Sequence, residues 1–502
     1  MLFDSYSFVL LFLPILIIAW RCADIIHKES LGLMLLGFSL VFCFWASPAA
    51  LLLYVCLIPV IYLLGLALAS PGERDTSLKR RGLFLAGLLV TFLPLLLVRY
   101  LPHLFEKAGL ADAPVQSVLL GGIGLLSGAE SQGFMLETTR MAGMSFFVLI
   151  QSAWLTGIYQ RRLEPEGLFR HFLFSLSFPS LLAGPVVRYE QMGPQYDNLH
   201  APLNAELATG LGLFITGLAK KVLLADWLGS CADLVFASAG AGFPLTTIEA
   251  WLGTISFSLQ IYFDFSAYTD MAIGAGIMLG LRLPENFASP YKATGFIDFW
   301  RRWHITLSSW VRDCVFLPLA GPFPSPLRLV LATLSCVLFV ALWHGSSVTF
   351  LVWAAMHAFF LAANAGIRSV LGLKAESLLA TLPARIFCTS ITFFLVSMTW
   401  VVFRCDTLAQ AKTMYKTLFH LGSDASLWAG TGCLPSWTCL VPLAAGLVTV
   451  FLLPTAHAVF LGNRDGSRSW LSFGFSAAWA LILAMATLLC LAVMDSARPF
   501  IF

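Results

Sequence analysis

The residues best suited to chemistry lie in two stretches of an otherwise apolar chain. The run from Ile261 to Asp313 holds Asp264 and Asp270 within YFDFSAYTDMAIG. A carboxylate in a lipid setting is costly unless paired or wetted. Each is therefore either a functional group or a helix pin bonded to Ser266, Tyr268 or Thr269. Further on, Phe299–His304 reads FWRRWH. Guanidinium forks fit phosphate oxygens, and tryptophan favours the membrane interface. Arg301, Arg302, Trp303 and His304, with Lys292 and Asp298 nearby, read either as a dock for a phosphorylated cytosolic donor or as a headgroup anchor. The second stretch is ALWHGSS, Ala341–Ser347. His344 ends an apolar run that begins near Leu327, and Val348–Ile367 runs back. At about 1.5 Å per residue it lies roughly 24 Å along the helix from Arg328. A neutral imidazole suits general-base work near pH 7. A lone membrane histidine is often structural, but Gly345 and the small residues beside it favour close approach of a substrate to the backbone.

Other chemistries lack their residues. His357 is a weaker base candidate on the returning helix. No cluster has metal-ligand spacing, and there is no nucleophile elbow, phosphate-binding loop or dinucleotide fingerprint. The eleven cysteines contain no CxxC pair, and most sit in apolar runs as small buried side chains. Cys433 and Cys439 share a polar-flanked loop, where a disulfide between them is one option. A net charge of +3 is too small to indicate nucleic acid.

The elements that position these residues must be transmembrane. The chain of 502 residues is 59% hydrophobic and 11% charged, with mean hydropathy +0.84. A soluble domain carries about a quarter charged residues. Apolar stretches long enough to cross a bilayer fall near 7–21, 31–45, 48–70, 82–99, 141–158, 208–225, 248–279, 327–343, 348–367, 386–403, 437–456 and 469–493. They are continuous rather than alternating, which favours helices over a barrel. The expected fold is all-α, a polytopic helical protein forming a single membrane domain over 1–502. Its N-terminal helices cover 1–140, a core covers 141–404 and C-terminal helices cover 405–502. The first segment lacks a basic flank and reads as a retained helix. Arginine-rich loops at 71–82, 159–171 and 282–312 belong on the cytoplasmic side, which puts the N-terminus and residues 101–140 outside. The segment 282–326 carries too many prolines and charges to span, so it is interfacial or re-entrant.

On these residues the chain resembles the membrane-bound O-acyltransferase superfamily, in the branch that O-acetylates alginate. The resemblance runs nearly end to end. It includes FPSLLAGPVVRYE (Phe178–Glu190), GLAKKVLLADWL (Gly217–Leu228), YFDFSAYTDMAIG (Tyr262–Gly274), the long FWRRWH segment, LWHG, VVFRCDTLAQA (Val401–Ala411) and the terminal RPFIF. Ala267, Ser346, Cys405 and the MAGMSFF run depart from the branch's usual residues without touching a proposed catalytic group. The resemblance implies a fold of re-entrant and interfacial helices around a central tunnel. It implies His344 as the catalytic histidine and His304 as a second functional one near the cytoplasmic opening. It implies no tightly bound cofactor. The donor would be acetyl-CoA or another acyl thioester, and the acyl group would pass across a bacterial inner membrane to an exported polysaccharide. The implied partners are a periplasmic SGNH-type acetyltransferase and a polysaccharide synthesis and export complex.

In this reading Arg301, Arg302 and Lys292 hold the donor's phosphates, Asp298 and His304 orient it, and Asp264, Asp270, Trp343 and Gly345 shape the tunnel. Three competing readings remain at this level: acylation of peptidoglycan or teichoic acid by the same chemistry, transport of a lipid-linked sugar, and a non-catalytic scaffold.

Overall fold

In the computed structural model the described residues are 2–70, 77–107, 143–182, 184–372, 377–420, 437–474 and 476–494. Among them every regular element is helical. Eight helices are long and apolar enough to cross a membrane, and three shorter apolar ones accompany them. The chain is thus an all-α, multi-pass membrane protein. Residues 108–142, the 71–76 loop and Cys433 lie outside the described residues, and with them most of the expected outside stretch 101–140. By packing, the chain divides into two compact units. One comprises Met1–Gly210 with Ala272–Pro284, and the other Leu211–Met271 with Glu285–Phe502.

The first unit holds α1 (Leu13–Ile26), α2 (Leu31–Ala46), α3 (Pro48–Ala69), α4 (Ser77–Lys107), α5 (Met144–Tyr159) and α6 (Leu168–Leu176). Its helices bury aromatic seams: Tyr54 stacks on Phe147 at 4.4 Å, and Phe8, Phe12, Phe42 and Phe178 pack edge and face. Arg80 donates to the carbonyls of Ile158 and Tyr159, closing the last turn of α5.

The second unit carries the chemistry. Its first span is longer than the expected 208–225. Helix α7 (Asn204–Ala219) continues through a π-helical turn, Lys220–Ala225, into α8 (Asp226–Gly240). The three make one apolar helix of 37 residues. Lys220, Lys221 and Asp226 are paired inside the protein, so the helix continues past the expected end at 225. Helix α9 (Thr247–Ile277) runs beside it. A side chain on Gly217 would meet the Ala267 carbonyl at 2.7 Å, so glycine there permits the close crossing.

The segment after α9 does not span, as its prolines require. It forms two seven-residue helices, α10 (Phe296–Arg302) and α11 (Ile305–Val311). A hairpin of α12 (Pro326–His344) and α13 (Val348–Leu371) follows, then α14 (Leu382–Arg404), α15 (Leu408–Leu418), α16 (Trp437–Leu452), α17 (Ala456–Leu461) and α18 (Ala477–Val493). Helix α18 starts later than the apolar run at 469 implied. Ser325, Ser347, Thr407, Thr455 and Ser476 each cap a helix start with a side-chain oxygen.

Two signals orient this unit. Arg328 opens α12, Arg368 sits in the last turn of α13 and Arg385 in the first turns of α14. These share one end, which is cytoplasmic by the positive-inside rule. His344, Ser347 and Arg404 share the opposite end, where Ser347 Oγ donates to the Asp406 carbonyl at 3.4 Å. The second signal corrects the cysteine reading. Cys439 pairs not with Cys433 but with Cys231 on α8. Two apolar stretches hid the pairing, because the sequence separation is 208 residues. The bond lies two residues along α8 from Asp233, which pairs with Arg404 at 2.7 Å. Structural disulfides form in oxidising compartments, so this is the non-cytoplasmic half. We expect Cys231→Ser to destabilise the protein by about 2–4 kcal/mol, read as a lower thermal midpoint in detergent. An unchanged midpoint, with both thiols labelled by maleimide in the parent, would contradict the bond.

Candidate active site

The FWRRWH segment is held in place by its backbone. Asn364 on α13 accepts from the Ile297 N–H and Asp298 from the Thr294 N–H, so the start of α10 is capped twice. Arg302 pairs with Asp298 at 2.8 Å and also donates to the Ala288 carbonyl. Lys292 donates to the Leu453 carbonyl at 2.7 Å. Burial, then the Arg302 charge, lowers the Lys292 pKa. Asp298, Arg302 and Lys292 therefore hold one another and the backbone, while Arg301 is exposed.

His304 ends this segment in the left-handed region at φ 42°. That conformation is strained for a non-glycine residue and persists only where its surroundings enforce it. Asn286 is the enforcer. Its Oδ1 accepts from His304 Nδ1–H at 3.1 Å, from Thr306 Oγ1 at 2.9 Å and from the Thr306 N–H at 3.3 Å. Its own carbonyl takes the Ile305 N–H. The Thr306 N–H fixes which end of the amide is oxygen, so the proton of His304 sits on Nδ1 and Nε2 is a bare lone pair. That Nε2 is buried and has no partner among the described residues. His304 is 2% exposed. Burial, with His344 contributing second, pushes its pKa down to about 3. As pH falls, the unfolded chain takes up a proton at about 6.5 before folded His304 does. Its contribution to stability is complete above that value and is lost progressively toward pH 3. Neither Asn286 nor Thr306 stands out in the sequence, because a buried amide hub has no spacing signature. We expect Asn286→Leu to lower kcat by about 10²-fold through loss of His304 geometry. A rate within a few-fold of the parent would remove that role.

His344 is the last residue of α12, and the structure leaves it partly exposed. Four rings surround it: Trp343, Phe350, Trp353 and Phe403, with centroids at 4.8, 6.0, 5.3 and 5.1 Å. Trp343 also approaches His304, at 6.2 Å, so the two histidines flank one indole. Gly345 is needed for a reason the sequence did not show. A Cβ there would lie 2.6 Å from the Phe350 ring, so glycine admits the cage rather than a substrate.

His357 is structural. Trp300 Nε1–H donates to its Nδ1 at 3.2 Å, leaving Nε2–H to donate to Thr399 Oγ1 at 2.9 Å. It ties α10, α13 and α14 together below the cage.

Asp264 and Asp270 pair with the two lysines of the π-helical turn, partners the sequence reading did not name. Lys221 reaches Asp264 at 2.8 Å and Asp226 at 2.9 Å, and Lys220 reaches Asp270 at 2.5 Å. Lys220 also donates to Ser266 Oγ and lines a cavity of about 170 Å³ with Tyr262, Ser289 and Thr455. The signal for these lysines was available: two adjacent cations inside an apolar run require anions nearby. Among the described residues no group of three His, Cys, Asp or Glu could hold a metal ion.

The model of the membrane-bound O-acyltransferase family matches residues 123–375. The chain is 33% identical over 423 residues to the "probable alginate O-acetylase AlgI" of Pseudomonas fluorescens, covering 84% of this chain and 76% of that protein. The chain belongs to the membrane-bound O-acyltransferase family. It is an O-acyltransferase, which sets aside the transporter and scaffold readings. The chain is also similar to a peptidoglycan O-acetyltransferase of Helicobacter pylori. That protein is 36% identical over 318 residues, 56% of this chain and 59% of the relative. A teichoic acid D-alanyltransferase of Bacillus subtilis is 29% identical over 210 residues, 39% of this chain and 51% of the relative.

Proposed function

We propose that this acyltransferase moves an acetyl group from a cytoplasmic thioester, acetyl-CoA or a chemically equivalent donor, to hydroxyls of an exported polysaccharide, with His344 as the base or transient acyl carrier. One observation carries the reading: a partly exposed imidazole stands at the end of α12 opposite the arginine-rich end, with a second, bare imidazole nitrogen close behind it. A thioester is already activated, so positioning and a base supply most of what is needed. Arg301, exposed at the start of the donor's path, takes a phosphate, while Arg302, Lys292 and Asp298 keep α10 in register. His304 sits between this segment and the cage. On the opposite side a polar pocket of about 600 Å³, lined by Arg404, Asp406, Thr407 and Thr413, lies beside Ser347 and gives a hydrophilic acceptor a place to wait.

The first relatives' names favour an alginate-like acceptor, and the peptidoglycan relative keeps a second glycan in view. Placement in a bacterial inner membrane, a periplasmic SGNH-type acetyltransferase that takes over the acyl group, and a polysaccharide synthesis and export complex belong to the same proposal. Oriented proteoliposomes test it. Labelled acetyl-CoA at the arginine-rich face, with partner and glycan at the other, should give labelled glycan while CoA stays on its own side. Equal labelling with donor on either face, or none with either, would refute the transfer across the membrane.

A further inference from the structure

We infer that Trp353 is a catalytic residue: its indole N–H donates to the carbonyl oxygen of the acyl group at His344 and stabilises the oxyanion formed there. The inference rests on the reading that His344 handles a thioester.

Trp353 is 1% exposed, and its Nε1 is buried with no acceptor among the described residues. An indole N–H can only donate, and buried donors are almost always paired, so an orphan needs a reason. Three other indoles of this region show the usual pairing. Trp300 donates to His357, Trp400 to the Tyr291 hydroxyl at 3.1 Å and Trp251 to the Leu418 carbonyl at 3.0 Å. Trp353, by contrast, has no acceptor among the described residues, and it meets His344 edge to face, at 5.3 Å and 84°. A phenylalanine would fill that apolar space without the desolvation penalty. The ring is also fixed. It lies nearly parallel to Trp400, 18° apart at 5.9 Å, with Phe403 at 5.2 Å and His357 at 4.8 Å on other sides. A donor held rigid in a dry setting stabilises developing charge without reorganising, which is the most effective kind of electrostatic catalysis.

The second orphan near His344 is complementary. His304 Nε2 is a buried acceptor without a donor. The Trp353 donor in the cage and the His304 acceptor behind Trp343 are thus both unused among the described residues. A thioester carbonyl fits the first. A thiol or hydroxyl hydrogen fits the second.

The step balances. The acceptor oxygen attacks the carbonyl carbon as its proton passes to His344. The carbonyl π pair moves onto oxygen, where the Trp353 N–H meets it. The oxyanion then collapses, the C–S bond breaks, and the departing thiolate takes the proton back from His344. Ester and free thiol result, with no other reactant.

The test uses the full chain in proteoliposomes with acetyl-CoA and its glycan-side acceptor system. Trp353→Phe keeps the ring but removes the donor. Replacement of Trp353 by 3-benzothienylalanine puts sulfur in place of N–H at nearly unchanged shape and guards against a packing effect. Both should lower kcat by about 10²-fold or more, leave the donor KM within about threefold, and leave the thermal midpoint of the isosteric variant at that of the parent. A parent-like kcat in either variant overturns the role of Trp353 alone. A parent protein that transfers no acetyl group overturns both this role and the function it rests on.

Discussion

His344→Ala abolishes acyl transfer and leaves a folded protein in the membrane. Loss of a positioned general base costs about 10²–10⁴-fold, and more if the imidazole also carries the acyl group. The fold survives because His344 is the terminal residue of α12 and partly exposed. The surrounding rings keep their own contacts: Trp353 with Trp400, Phe350 with Phe403. Initial rates of donor thiol release, together with the elution profile in detergent, check both halves. Transfer at the parent's rate would remove His344 from the chemistry. Loss of the folded peak would make it a structural residue instead.

Lys221→Met should be the most damaging single change to stability. Lys221 and Asp264 have side chains 2% and 1% exposed, and the same ammonium also holds Asp226. Replacing an ion pair by apolar residues of equal volume is often tolerated, whereas removing one partner strands a buried charge at a cost of about 3–5 kcal/mol. Here methionine would leave two carboxylates facing each other across α8 and α9. The thermal midpoint in detergent should fall sharply, and a second change, Asp264→Leu, should recover part of the loss. An unchanged midpoint for Lys221→Met would mean the pair is wetted and carries little energy.

The general architecture was legible because lipid imposes so strong a compositional demand. Helices that cross a bilayer must be apolar throughout, and α2, α3, α12 and α13 fall where their hydropathy puts them. Misreadings occurred where polar residues are paired at a distance. The 37-residue helix was ended at 225, just before Asp226, because the sequence cannot display the lysine that neutralises that acid inside the protein. Cys231 was passed over because its partner lies on α16. At the site, His304 and His344 were visible by type and by the family's motifs. Asn286, Thr306 and Trp353 were not, since an amide that fixes a tautomer and an indole lacking an acceptor are facts of three-dimensional arrangement. Gly345 was singled out for substrate approach, whereas the structure gives it a packing reason, the ring of Phe350.

The most direct measurement is a structure of the protein with a non-hydrolysable acetyl-CoA analogue whose sulfur is replaced by methylene. The account predicts the adenosine phosphates near Arg301, the pantetheine arm passing His304, and the acetyl carbon within about 3.5 Å of His344, its oxygen turned toward the Trp353 indole. An analogue bound away from both histidines, with the His344 ring packed against lipid, would contradict it.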